Sequence, residues 1–303
     1  MRFLNSVKER KSKRHDGPAV QASSLQPYLS GINKLHVDAG LEPPALGPTI
    51  VDYRKGMGRE QQESAPHGSN DKLRIYLPAE IVQQVRDLGL DMCKSGVAPM
   101  ATLKGRQRAV HFRSLVYTMF TYCCFSRSDT GVHLKFQDLW YNPQGVHVTL
   151  RSLKGKKHTG AIKPLQFPGG AIAGLDTLVP AFTALQQHLG VKPDGNLWRF
   201  PWEKRGTWPA SLGDAWLQQA LKLVGGPNPP VGCKWTSHSS RKGATTSAAA
   251  IGVVDTVYCY VGDWSIKSST RLDYIDPTAR PTAAMLDFFG WLLPTRFSQP
   301  AQI

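Results

Sequence analysis

A histidine and an arginine stand three residues apart in the stretch Thr236–Tyr274, TSHSSRKGATTSAAAIGVVDTVYCYVGDWSIKSSTRLDY. Ser237 reads as the N-cap of a helix, because a serine hydroxyl satisfies a free backbone N–H of the first turn. His238 and Arg241 then share the first turn and one face of that helix. A helix N-terminus favours an anion. The arginine adds a two-pronged donor for phosphate oxygens, and the histidine adds a group that takes or gives a proton near neutral pH. The run from Ala244 to Ala250 is small-sided, which permits close packing, and Gly252 ends it. A Gly-Asp-Trp turn follows, then a polar helix carrying Tyr274. Together these groups read as the core of a phosphate-handling site with a tyrosine nucleophile. Tyr258 and Tyr260 are nearby, but VYCYV reads as a helix face in the core, which favours Tyr274. A histidine–arginine pair at this spacing is common on ordinary surfaces, so the rest of the chain has to give it meaning.

Charge points the same way. Lys plus Arg total 37 against 22 acidic residues in a chain of 303, a net charge of +15. Such an excess favours a polyanionic partner, nucleic acid before an anionic membrane. No apolar run approaches the ~18 residues of a membrane span, and the N-terminus lacks the apolar core of a secretory signal. The cysteines (Cys93, Cys123, Cys124, Cys233 and Cys259) form no CxxC pair and are odd in number, so neither a disulfide framework nor a zinc site is expected.

The positioning elements follow in order. Residues 1–22 are a basic arm with KERKSKR at Lys8–Arg14. Spacings of three and four predict a helix over 23–41, and Thr49 begins another. Residues 60–74 are polar and unperiodic, as an interdomain linker would be. Pro78 opens a helix with Ile81, Val82, Val85 and Leu88 on one side, and residues 94–107 read as a polar loop. Arg108–Ser126 predicts a buried central helix with Arg127 at its C-terminal end. Val146–Ser152 and Ala161–Phe167 read as a β-hairpin with Lys154, Lys156 and Lys157 in its turn, and Leu134–Trp140 as a possible third strand. Helices are expected near 175–189 and 210–224. Pro281–Pro294 reads as a strongly apolar helix.

The set HSSRKGATTSAAAIG, then GDW, then a helix ending in YIDP resembles the tyrosine recombinase (phage integrase) family. The family pattern H-x-x-R-x-G-x-A-T matches at His238, Arg241 and Gly243, with Ala244 and Thr245 each one position early, its Gly-x-His/Trp element at Trp264, and its tyrosine at Tyr274. The family's first arginine is followed by Leu at +7 and Asp at +11, as Arg127 is by Leu134 and Asp138. Its hairpin lysine matches Lys154, with Lys156 as the alternative. Thr130 stands where the family often has an acid, with Asp129 beside it, and Trp264 and Tyr274 are ten residues apart, one more than usual.

The resemblance implies a fold that is mainly α with a small antiparallel β-sheet, arranged as a two-domain DNA clamp. Residues 23–75 would be a partial core-binding domain with its linker. Residues 76–303 would be the catalytic domain, with a C-terminal helix (281–294) that docks on a neighbouring subunit. It implies double-stranded DNA as partner, a homo-oligomer (a tetramer on DNA), an intracellular site of action, and no cofactor or metal. In the implied chemistry Arg127 and Arg241 clamp the scissile phosphate, and Tyr274 attacks phosphorus to form a 3′-phosphotyrosine. His238 handles the proton of the phenol, Lys154 protonates the departing 5′-oxygen, and Trp264 orients a phosphate oxygen or buttresses the pocket. Two other readings stay open: a non-catalytic DNA-binding relic of a mobile element, and a DNA-relaxing enzyme resembling type IB topoisomerases.

Overall fold

The computed structural model describes residues 25–42, 75–151, 162–203, 209, 211–231, 233–265 and 269–293. The chain divides into two units, Met1–Lys72 and Leu73–Ile303. In the first unit, helix α1 spans Leu25–Asp38, within the range expected for it, with Leu29 buried and Leu35 exposed. The basic arm, the second helix from Thr49, the linker 60–74 and the lysine turn with Lys154, Lys156 and Lys157 lie outside the described residues.

The second unit is mainly helical with a small three-stranded antiparallel sheet. Helix α2, Ala79–Cys93, starts behind Pro78, whose fixed φ and missing N–H suit a helix entrance, and buries Ile81, Val82 and Val85. A 3₁₀ turn at Ala98–Ala101 occupies part of the expected polar loop. Helix α3, Arg106–Cys123, is buried at every position from Phe112 to Cys123, as a central helix must be. The charged residue in that stretch, Arg113, meets Glu203 at 2.7 Å and the Trp198 carbonyl at 2.9 Å, beneath the Phe200 and Trp216 rings. A buried charge is tolerated only with such partners.

Arg127 does not end the central helix. Phe125 takes a left-handed conformation (φ 50°) that stops α3, and Arg127 is the extended N-cap residue of a short helix, α4, Ser128–Val132. Trp198 Nε1 donates to the Gly131 carbonyl and Asn196 Nδ2 to that of Val132, which fixes α4 from below.

The expected third strand is shorter and later. Phe136–Asp138 forms a 3₁₀ turn because the buried Asp138 carboxylate accepts the Lys135 N–H. Arg151 pairs with the same carboxylate. Strand β1 is therefore Leu139–Asn142, followed by β2, Gly145–Leu150, and β3, Lys163–Pro168. In the sheet order β1-β2-β3, Val148 lies between Leu139 and Leu165, and Val146 between Tyr141 and Phe167. Val146, Val148, Leu165 and Phe167 point into the core.

Then come α5, Leu175–His188, α6, Ser211–Leu223, α7, Ser237–Ala250, α8, Asp255–Gly262, a 3₁₀ turn at Ser269–Tyr274, and α9, Ala283–Phe289. The apolar C-terminal helix breaks at Gly290 into a further 3₁₀ turn, Gly290–Leu292. Its Met285, Phe288 and Phe289 are buried in their own unit, where both phenylalanines pack on Tyr122 at 5.4 Å. Asp287 accepts from Gln83 at 2.9 Å and sits 3.5 Å from Arg86. Most of the apolar surface read as a subunit contact thus packs in cis, with Leu286 left 49% exposed.

Helix α7 runs through this core against α2, α3, α8 and α9. Its start is joined to the segment before α2 by the Leu77 N–H donating to the Ser239 carbonyl at 2.9 Å. Gly243 lies so close to that segment that a Cβ would overlap the Leu77 carbonyl oxygen. Backbone cannot yield as a flexible side chain can, so Gly243→Ala is expected to lower stability by about 2–3 kcal/mol in urea unfolding.

Candidate functional site

The N-cap of α7 is Thr236, one residue before the expected Ser237. Its N–H is taken by Ser239 Oγ at 3.1 Å, and the Ser237 N–H is taken by Asp214 of α6 at 2.7 Å. Part of the anion-attracting power of this helix end is therefore already satisfied inside the protein.

His238 and Arg241 diverge from that common turn. His238 is exposed, whereas Arg241 is 2% exposed. The Arg241 Nη atoms donate to the carbonyls of Phe125, just past α3, and Gly262, at the end of α8. Its Nε is buried without a hydrogen-bond partner. The guanidinium lies 3.6 Å from the Trp264 ring centroid and 5.4 Å from that of Tyr274. Burial, and next the neighbouring Arg127 cation, push its pKa down to about 9, while Tyr274 and Asp263 act in the opposite direction. It therefore remains charged at neutral pH.

Arg127 and Arg241 line one shallow concavity with Thr130, Leu150 and Asp263. Two cations facing one hollow favour an anion there. A carboxylate partly answers that demand: Asp263 Oδ2 is 3.5 Å from Arg127 Nη1. Asp263 is left-handed (φ 54°) at the end of α8, a conformation aspartate tolerates better than most side chains. Gly262 before it is required, because a Cβ there would overlap the Trp264 ring.

Tyr274 closes the group. It is carried on the 3₁₀ turn Ser269–Tyr274 rather than on an α-helix. Its hydroxyl is 3.4 Å from His238 Nδ1, and its ring meets Trp264 edge-on at 5.4 Å. The competing tyrosines are elsewhere. Tyr258 is 1% exposed and donates to Asp255 at 2.6 Å, and burial followed by that carboxylate raises its pKa to about 12. Tyr260 is 60% exposed on the outer side of α8, beneath Lys163 at 4.5 Å.

Of the residues chosen from sequence, His238, Arg241, Trp264 and Tyr274 thus come together, and Arg127 shares the concavity of Arg241. Lys154 lies outside the described residues. Leu134 is core and Asp138 is the hairpin brace described above. Sequence reasoning missed Asp263, although it sits in the GDW turn. It also missed Asp214, Thr246, and the Asp255–Arg271 pair, which meets at 2.9 Å. An isolated acid carries no spacing signal, because it acts through a partner distant in sequence, whereas Thr246 stands eight residues after His238, where the pattern H-x-x-R-x-G-x-A-T has its threonine.

No family model matches the chain, and no curated protein matches it. Among solved structures it is similar to the XerH site-specific recombinase bound to its difH substrate in a pre-cleavage complex. The identity is 12% and the TM-score 0.48, over 90% of this chain and 72% of that one. Among the described residues no helix is long and apolar enough to cross a membrane, and no cluster of His, Cys, Asp and Glu is arranged to hold a metal ion.

The balance of charge in the concavity is testable. Asp263→Asn removes the carboxylate that competes for the two arginines, so inorganic sulfate should bind roughly three- to tenfold more tightly at low salt. Calorimetric titration checks this, and Arg127→Ala in the same background should abolish the gain.

Proposed function

We propose that the chain is a DNA breaking-and-rejoining enzyme of the tyrosine recombinase kind. The observation that carries this reading is the convergence at Tyr274: an exposed imidazole 3.4 Å from the phenol oxygen, and a buried guanidinium 5.4 Å from the same ring. A phenol with an unperturbed pKa of ~10 needs a proton acceptor and nearby positive charge to attack at neutral pH. Both are at hand.

In this reading a scissile phosphate enters the concavity between Arg127 and Arg241 and displaces Asp263 from Arg127. Neutralising the non-bridging oxygens is the main catalytic demand of phosphoryl transfer. Tyr274 Oη attacks phosphorus, its proton passes to His238, and the bond to the 5′-oxygen breaks. Lys154 supplies the proton that leaves with the 5′-hydroxyl. One phosphate ester replaces another, so reversal by a second 5′-hydroxyl rejoins DNA without an external energy source. Trp264 holds the Arg241 guanidinium from one face and the Tyr274 ring from another, which makes it a buttress.

The net charge of +15 supports a duplex DNA partner. Residues 23–75 would act as the second jaw of the clamp, in whatever cell compartment holds the DNA. Exchange between two duplexes requires more than one cleaving subunit, so a homotetramer on DNA belongs to the same proposal. Leu286, 49% exposed, is the large apolar side chain of α9 left open to such a contact.

Nicked suicide duplexes test the reading. The wild-type chain should form a covalent protein–DNA adduct, which Tyr274→Phe abolishes with DNA affinity intact. Arg241→Lys keeps a charge but loses the fork that reaches two carbonyls, so the adduct rate should fall on the order of 10²-fold. DNA binding without an adduct on any terminal-repeat DNA would instead indicate a non-catalytic relic.

A further inference from the structure

We propose that Thr246 is a positioning residue for Tyr274, holding the tyrosine-bearing turn against the helix that carries His238 and Arg241. The proposal rests on the reading of Tyr274 as the reacting group. Thr246 lies on α7 and is fully buried. Its neighbour Thr245 returns its hydroxyl to the Arg241 carbonyl at 2.8 Å, the usual arrangement for a threonine inside a helix. Thr246 does not. Its Oγ1 donates to the Tyr274 carbonyl at 3.1 Å and accepts from the Asp276 N–H at 3.0 Å. One hydroxyl thereby satisfies the backbone on both sides of Ile275.

The chain cannot slide past that point. Ile275 packs against the core, and the Asp276 carboxylate turns the chain by accepting from the Thr278 N–H at 2.9 Å and its hydroxyl at 2.6 Å. On the other side of Tyr274, Arg271 grips Asp255 through Nε at 3.2 Å and Nη2 at 2.9 Å. The turn is thus tied to the start of α8 on one side and to α7 on the other. The α7 tie is the one that measures distance to His238, because Thr246 and His238 lie on the same rigid helix. A change of about 1 Å in the placement of a reacting group can cost on the order of 10²-fold in rate, so this tie acts on chemistry as well as on fold.

The experiment compares Thr246→Val, which keeps shape but loses both hydrogen bonds, with Thr246→Ser, which keeps the hydroxyl. Both are read in the full chain. In Thr246→Val, hydrogen exchange at the Asp276 amide should quicken at least about tenfold, as expected when a local backbone bond is lost. The adduct rate at saturating nicked duplex should fall between about 10-fold and 10²-fold with DNA affinity unchanged, and Thr246→Ser should restore it to within about threefold. Unchanged exchange in Thr246→Val overturns the proposal, as does faster exchange with an unchanged adduct rate. A fall in rate that serine does not rescue also overturns it, since that outcome assigns Thr246 to packing. If the wild type forms no adduct, the recombinase reading fails separately. Nitration of Tyr274 by tetranitromethane, read by peptide mass spectrometry, then decides the proposal: it stands if Thr246→Val alters the rate and Thr246→Ser does not, and falls otherwise.

Discussion

A guanidinium taken out of water costs several kcal/mol unless other groups replace its hydration. Arg241 is such a group, and much of the unit is arranged around it. Its Nη atoms are solvated by the Phe125 and Gly262 carbonyls, both close to helix C-terminal ends, where carbonyl oxygens lack helical partners and carry partial negative charge. The Trp264 ring covers one face of the cation. These partners are neutral, and the acidic neighbour Asp263 faces Arg127, so the positive charge is held in place without being cancelled. That is the condition a preorganised anion site requires.

The backbone conforms to the same cation. Phe125 and Asp263 have positive φ, and each adjoins a segment that Arg241 or Arg127 contacts. A bulky phenylalanine in that region is an outlier that surrounding structure must enforce. Here the buried Phe125 ring packs on Phe289 at 5.0 Å while its carbonyl meets Arg241. Helix α9 therefore contributes to the site at a distance, by holding Phe125 in the conformation that ends α3 and releases Arg127 toward the concavity. Its buried side chains Met285, Phe288 and Phe289 are explained by this packing within the unit.

Much of this is legible in the amino-acid sequence alone. The period of three and four located α2, the continuous apolar content identified α3 as central, and alternation found β2 and β3. These are short-range patterns imposed by burial. The grouping of His238, Arg241, Trp264 and Tyr274 was legible for another reason: the proposed reaction asks for those residue types in that order. What failed were boundaries decided by single contacts. The shift of Arg127 from helix end to helix start depends on Phe125 turning left-handed, and no residue type announces that at a phenylalanine. The third strand was displaced by one buried carboxylate, Asp138, capping a turn. The apolar segment 281–294 had the composition of an interface and of a core helix alike, since burial in cis and in trans require the same side chains.

The spacing of Trp264 and Tyr274 was the feature most at odds with the family pattern, and the 3₁₀ turn bears on it. A 3₁₀ segment turns about 120° and rises about 2.0 Å per residue, against about 100° and 1.5 Å in an α-helix. The direction of a side chain at the end of six such residues thus depends on the winding as much as on the count. With the turn tied at Arg271 and at Thr246, Tyr274 faces His238 and Trp264 despite the added residue. The same geometry explains why His238 and Arg241, though three apart on one helix, differ so much in burial. Under the proposed function, a charge that stabilises a transition state works best in a low dielectric with fixed neighbours, and Arg241 lies in such surroundings. Under the same reading, the group that passes protons must exchange them with solvent and meet an incoming substrate, and His238 lies at the surface. A helix entering the core at its first turn provides both environments within one turn of each other.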